Sequence, residues 1–273
     1  VSAANGEFAD VPKNSTILGA AKFSGKTKNG WSVGVLESVT SNEFAEIKQT
    51  DGHTREEIVE PLTNYFVARA QKDFNERNSY IGGIFTATNR NLDGNFSELH
   101  TAAYTGGIDF RHTWRNRDFF IDGNSIISHV KGSAKAIEKT QRSIARLFQR
   151  IDADHVNVDA RRTSLTGTGG KINIGKQGGG NWRYNGGLIW RSPELELNDV
   201  GFLRQTDEVI QSAEINYLWQ VPTKTYRDIR VSLEQSSSFD FQGNQNNVEY
   251  KLRARINWIN NWGTSMGIGH NPI

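Results

Sequence analysis

Val248–Glu249–Tyr250–Lys251–Leu252–Arg253–Ala254–Arg255–Ile256–Asn257–Trp258 decides how this chain is read. Successive side chains of a strand point to opposite faces. Extended, the segment carries Val248, Tyr250, Leu252, Ala254, Ile256 and Trp258 on one face. Glu249, Lys251, Arg253, Arg255 and Asn257 lie on the other. One side is oily and the other heavily charged. The design recurs at 101–114, where Ala102, Tyr104, Gly106, Ile108, Phe110 and Trp114 oppose Thr101, Thr105, Asp109, Arg111 and Thr113. It recurs at 181–191, with Trp182, Tyr184, Leu188 and Trp190 against Asn181, Arg183, Asn185 and Arg191. At 209–221, Val209, Ala213, Ile215, Tyr217, Trp219 and Val221 oppose Ser212, Glu214, Asn216 and Gln220.

Weaker alternation marks further strands near 16–24, 31–35, 66–73, 80–88 and 229–234. The stretch 119–130 is apolar on both faces in places, 164–176 is glycine-rich and hard to phase, and Glu37 stands on the oily side. Eleven or twelve strands result. Their connections alternate short and long. The short ones fall near Gly25–Asn29, Asn75–Arg77, Arg115–Arg117, Gln177–Gly180, Thr223–Thr225 and Asn260–Asn261. The long ones are Ser41–Leu62, Asn89–His100, Lys131–Arg162, Ser192–Glu208 and Ser236–Asn246. Such wiring is that of an outer-membrane barrel, with tight periplasmic turns and larger outer loops.

A soluble β-sandwich also alternates. Against it stand the strand lengths, which match the roughly nine to eleven tilted residues that cross a bilayer rather than the roughly five to six of globular strands. Trp31, Trp114, Trp182, Trp219, Trp258 and Trp262 all lie near short turns, and only Trp190 lies at the long-loop end. An aromatic belt at one membrane interface predicts that placement. The expected fold class is therefore all-β: an antiparallel up-and-down transmembrane β-barrel of about 12 strands, part of a larger barrel. Residues 1–273 are read as one barrel-domain fragment.

No run of eighteen apolar residues exists, so a membrane-crossing helix is excluded. The chain has no cysteine, which removes disulfides, thiol catalysis and thiolate metal sites. A net charge of +2 gives no reason to expect nucleic acid. The chain starts at Val1 without a signal peptide, and 269–273 does not resemble a finished last strand; a mature or truncated chain with strands missing at both ends is expected.

Several runs carry a family resemblance: 17–27 (ILGAAKFSGKT), 29–35 (NGWSVGV), 63–69 (TNYFVAR) with Asp73 and Arg77, 164–167 (SLTG), 176–179 (KQGG) and 191–202 (RSPELELNDVGF). The chain resembles, over nearly its whole length, the Bacteroidota-type outer-membrane β-barrel domain known as domain of unknown function 5916. That domain usually follows an amino-terminal domain similar to family-9 carbohydrate-binding modules. The resemblance implies an outer-membrane location and a link to glycans. The carbohydrate-binding module is absent from this sequence, and the resemblance supplies no catalytic residues.

Motifs that carry chemistry are few in this chain. Gly170–Lys176 has the spacing of a phosphate loop up to its lysine, but Gln177 replaces the required Ser or Thr, so a glycine-rich hairpin is the better reading. Asp152, Asp154, His155 and Asp159 share the longest loop. Asp152, Asp154 and Asp159 form a weak metal candidate lacking the glycine and distal glutamate of a calcium loop, and a solvated loop is the simpler reading. Glu194, Glu196 and Asp199 are conceivable glycosidase carboxylates, with ordinary loop acids as the default. Glu56, Glu57 and Glu60 are expected on a short helical turn, and Lys135–Leu147 as a short helix over the mouth or in the lumen.

Arg69, Asp73, Asp109, Arg111, Lys171, Arg183, Arg230, Glu234, Lys251, Arg253 and Arg255 are expected to line the lumen. They form either a salt-bridged wall or a selectivity lining. The expected function is a non-enzymatic, porin-like outer-membrane barrel that admits or binds glycans or other polar solutes. Its partners are membrane lipid and an oligosaccharide or polar solute, without a cofactor. The alternatives are a glycan hydrolase with its active site in the outer loops, and a structural anchor for a carbohydrate-binding domain.

Overall fold

The computed structural model describes residues 7–92, 96–199 and 201–272. Val1, Val200 and Ile273, and residues 93–95 of the loop expected at 89–100, lie outside the described residues. The chain runs β1 (Phe8–Asp10), β2 (Ile17–Lys26), β3 (Trp31–Thr40), β4 (Glu43–Lys48), β5 (Thr54–Glu60), β6 (Thr63–Phe74), β7 (Ser79–Arg90), β8 (His100–Trp114) and β9 (Phe119–Gly132). Helix α1 (Ala134–Gln141) follows, then β10 (Ser164–Lys176), β11 (Trp182–Arg191), β12 (Glu208–Trp219), β13 (Tyr226–Phe239), β14 (Gln245–Trp258) and β15 (Gly263–His270).

Twelve strands form one antiparallel sheet in the order β2-β3-β6-β7-β8-β9-β10-β11-β12-β13-β14-β15. Each strand pairs with its sequence neighbour, apart from the β3–β6 step that skips an inserted hairpin. The fold is all-β, as the alternation requires. Among the described residues no sheet closes into a barrel, and β2 and β15 are free edges; the sequence reading expected these twelve strands to be part of a larger barrel.

The inserted segment corrects the sequence reading. β1, β4 and β5 form a separate three-stranded sheet, and Glu56, Glu57 and Glu60 lie on β5 rather than on a helical turn. Glutamate-rich TREEIVE favours helix locally, but pairing with β4, whose Ala45 and Ile47 are fully buried, overrides that preference. A second correction concerns the connection expected as a long loop at 236–246. It spans only 240–244, because Ser236, Ser237 and Ser238 pair with Glu249, Val248 and Asn247.

The helix is also shorter than expected. Ser133 caps it by accepting from the Ala136 amide at 3.0 Å, and Arg142 ends it. Ile144 and Leu147 continue the spacing but lie past the end, Ile144 almost fully exposed and Leu147 at φ 51°. Glu37 sits in unbroken register between Ala21 and Phe66, so no bulge explains it; it accepts from the Asn64 side chain at 3.0 Å near the loop end. The glycine-rich stretch 164–176 is a full strand in ladder with β9 and β11, so Gly170–Lys176 is paired strand rather than a phosphate loop.

Candidate functional site

Register determines which residues share a face. Gly34, Arg69, Ile84, Gly107, Ile126, Gly169, Arg191 and Glu208 stand side by side from β3 to β12. Stepping by two along each strand and following the pairing through β13 and β14 places all eleven expected lining residues on that same face. The opposite face bears large apolar side chains open to the surroundings, among them Phe23, Ile81, Phe85, Ile108, Ile127, Ile172, Ile215, Leu233 and Leu252.

On the polar face the charges form a ladder. Arg69 donates to Asp109 at 2.8 Å, Lys26 to Asp73 at 3.3 Å, Arg111 to Asp122 at 2.9 Å, Arg253 to Glu234 at 3.3 Å and Lys251 to Glu249 at 2.6 Å. Asp122 also accepts from Asn173 at 3.0 Å, and Arg111 reaches Gln177 at 2.9 Å. A depression of about 370 Å³ opens among Arg69, Asp109, Arg111, Asp122 and Lys171. Arg183 stands apart: it donates to the carbonyls of Gly179, Gly180 and Trp182 and so braces the β10–β11 turn. Asp122 was missed in the sequence because 119–130 is apolar on both faces in places. Its place two residues before Asn124, on the face of Asp109, was the available signal.

The loop end of this polar face is covered. Ala103, Val130 and Leu165, from β8, β9 and β10, form a buried cluster with Ile137 of α1. The segment 192–199 then lies across β10: a Cβ added at Gly167 would overlap the Leu195 backbone, and one at Gly169 would crowd the Leu195 side chain. The Glu196 amide donates to Ser128 Oγ at 3.0 Å. Arg146, 2% exposed, pairs with Glu196 at 2.9 Å and also donates to the Leu195 carbonyl. Burial holds the Arg146 guanidinium below its usual range despite the facing Glu196 carboxylate.

Two further carboxylates tie the cover down. Asp199 faces Arg90 at 2.5 Å and His100 Nδ1 at 2.9 Å, while His100 Nε2 lies 2.8 Å from Thr140 of α1. Burial raises the Asp199 carboxyl, but His100 and Arg90 pull it further the other way, and it ends below its ordinary value. Asp207 joins Arg150 at 2.6 Å and His155 at 2.8 Å, and accepts the Phe241 amide at 3.0 Å. The partners of these acids lie far away in the chain, so no local pattern announced them.

The acids considered for catalysis are dispersed among different partners. Glu194 pairs with Arg162 at 2.7 Å, Glu196 with Arg146, and Asp199 with Arg90 and His100. Of the metal candidates, Asp152 lies 3.8 Å from Arg150, Asp159 lies 3.8 Å from Arg161 and its amide donates to Gln141, and among the described residues no ion pair or hydrogen bond is seen for Asp154. Among the described residues no three such side chains are gathered as for a metal.

On the apolar face, Trp31, Trp114, Trp182, Trp219 and Trp258 all stand at the turn end of their strands, with Trp262 in the last turn. They interlock: Trp182, Tyr217 and Trp219 meet edge to face with centroids 4.8 and 4.5 Å apart, and Trp114 stacks between His112 and Phe119. At the loop end the same face turns polar, with Tyr104 donating to Asn89 at 2.8 Å and His129 lying 2.7 Å from Thr166. No helix of the described residues is long and apolar enough to cross a membrane.

Sequence comparison assigns the family. The model of the family described as Domain of unknown function (DUF5916) matches residues 1–273, and the chain belongs to that family. No curated protein and no solved structure matches it.

Proposed function

We propose that this chain is the wall of a bacterial outer-membrane β-barrel that admits, or scaffolds the binding of, glycans or other polar solutes, without catalysing a reaction. One observation carries the reading: the register separates exposed large apolar side chains from paired charges onto opposite faces of one sheet. An apolar surface of that extent needs a cover. Hydrocarbon supplies one, and the tryptophans at the turn end suit an interface. In lipid the edges of β2 and β15 require strand partners, because unpaired backbone groups there cost several kcal/mol each. Barrel closure satisfies them.

Conductance across planar bilayers tests passage. Steps of ion current that fall when an oligosaccharide is added support it; a sealed bilayer at verified protein density rejects it. The cover over the loop end favours a second reading, an anchor with an occluded lumen that displays a carbohydrate-binding domain. That reading expects no current and retained membrane insertion. A hydrolase reading expects oligosaccharide cleavage that disappears in E194Q/E196Q, and both carboxylates are already held by arginines.

A further inference from the structure

The polar face is unevenly neutralised. In its β6–β10 part, Arg69 and Arg111 each have a carboxylate within 3 Å. Toward the turn end of β13 and β14, Arg230 stands directly opposite Arg255 in the ladder, and neither makes an ion pair or hydrogen bond among the described residues. Like charges directly opposite across a strand pair destabilise a sheet. Two register steps away, on the same face, Arg253 faces Ser232. These residues and Ser265 line a depression of about 550 Å³. Two acids also line it. Glu234 is taken by Arg253 at 3.3 Å, and Glu214 accepts from Asn216 at 2.8 Å. Neither approaches Arg230 or Arg255 closely enough to pair.

We infer that Arg230 and Arg255, with the Glu234-paired Arg253 at the edge, form a site for a multiply charged oxyanion, a phosphate ester above all. The inference deepens the solute-binding reading and rests on it for where the ligand comes from. Guanidinium forks match phosphate oxygens in pairs of parallel hydrogen bonds. The Ser265 hydroxyl supplies a further donor at the wall, whereas the Ser232 hydroxyl already donates to Asn216 at 2.6 Å. A bound dianion converts the Arg230–Arg255 repulsion into two attractions. The arrangement therefore costs stability when empty and regains it on binding.

That linkage gives the test. The full chain in detergent micelles is melted with inorganic phosphate or pyrophosphate, against sodium chloride at equal ionic strength so that screening is matched. Pyrophosphate is expected to raise the wild-type Tm by about 2–4 °C over chloride. R230Q/R255Q is expected to melt above the wild type in chloride and to lose the pyrophosphate shift. R183Q, which alters the turn brace, keeps the shift. An equal shift in wild type and R230Q/R255Q, or no shift in either, overturns the site. Bilayer recordings separate this from the broader reading: anion-specific stabilisation without current keeps the site and rejects passage, whereas current without that stabilisation rejects the site alone.

Discussion

Ile108 and Thr105 sit three residues apart on β8 and face opposite ways. Ile108 is 62% exposed on the apolar face. Ile108→Arg is expected to impair membrane insertion by about 2–4 kcal/mol if the residue reaches the midplane, measured by refolding into lipid vesicles against denaturant. Thr105→Arg, on the polar face, is expected to cost much less. Equal cost at both positions contradicts the face assignment. Glu196 makes a different case. Glu196→Gln leaves the Arg146 guanidinium buried without its counter-charge, a change that costs about 3–5 kcal/mol. Loss of hydrogen-exchange protection over 192–199, with β11–β14 unaffected, is the expected signature. Asp199 adds a pH dependence. Its folded carboxyl lies below its ordinary value near 3.8, so its contribution is complete above that value and disappears as pH falls through the lowered one. Protection of 192–199 should hold from neutral pH to about 4 and fall below it. Asp199→Asn should show lower protection at neutral pH and a smaller fall on acidification, the remainder coming from Glu194 and Glu196 in the same segment.

At the scale of elements, α1 and the segment 192–199 act together as the cover. Ile137→Ala removes the helix side chain buried against Ala103, Val130 and Leu165 and should cost about 2–5 kcal/mol. Gly167→Ala forces the Leu195 backbone off β10. If a passage runs along the polar face, this single methyl group should increase conductance, and unchanged current in bilayers speaks against the cover as an occlusion. The strands themselves were legible wherever one face was oily, as in 101–114 and 248–258, because period-two alternation reports burial directly. Ser236–Ser238 and Gln245–Asn247 were not, since side chains polar on both faces look like loop while their backbones pair. The β4–β5 hairpin was hidden by glutamates that prefer helix. The charged face was legible residue by residue, as Arg69 through Arg255 show. Its neutralisation was not: Asp122, Asp199 and Asp207 find partners through register and loop return, which no local window contains.

For the whole molecule, the decisive matter is what touches the apolar face of the twelve-stranded sheet. A protein interior and a bilayer both satisfy it, and they differ in what reaches the side chains from outside. The chain contains no cysteine, so single cysteines introduced at Ile108 and Thr105 each carry one spin label without competition. Accessibility to oxygen, which dissolves in hydrocarbon, is compared with accessibility to a water-soluble nickel chelate in protein reconstituted into lipid vesicles. A label at 108 should collide with oxygen and exclude nickel, and a label at 105 should do the reverse. Nickel access at 108 equal to that at 105, or a label at 108 shielded from both reagents, would contradict a lipid-facing wall.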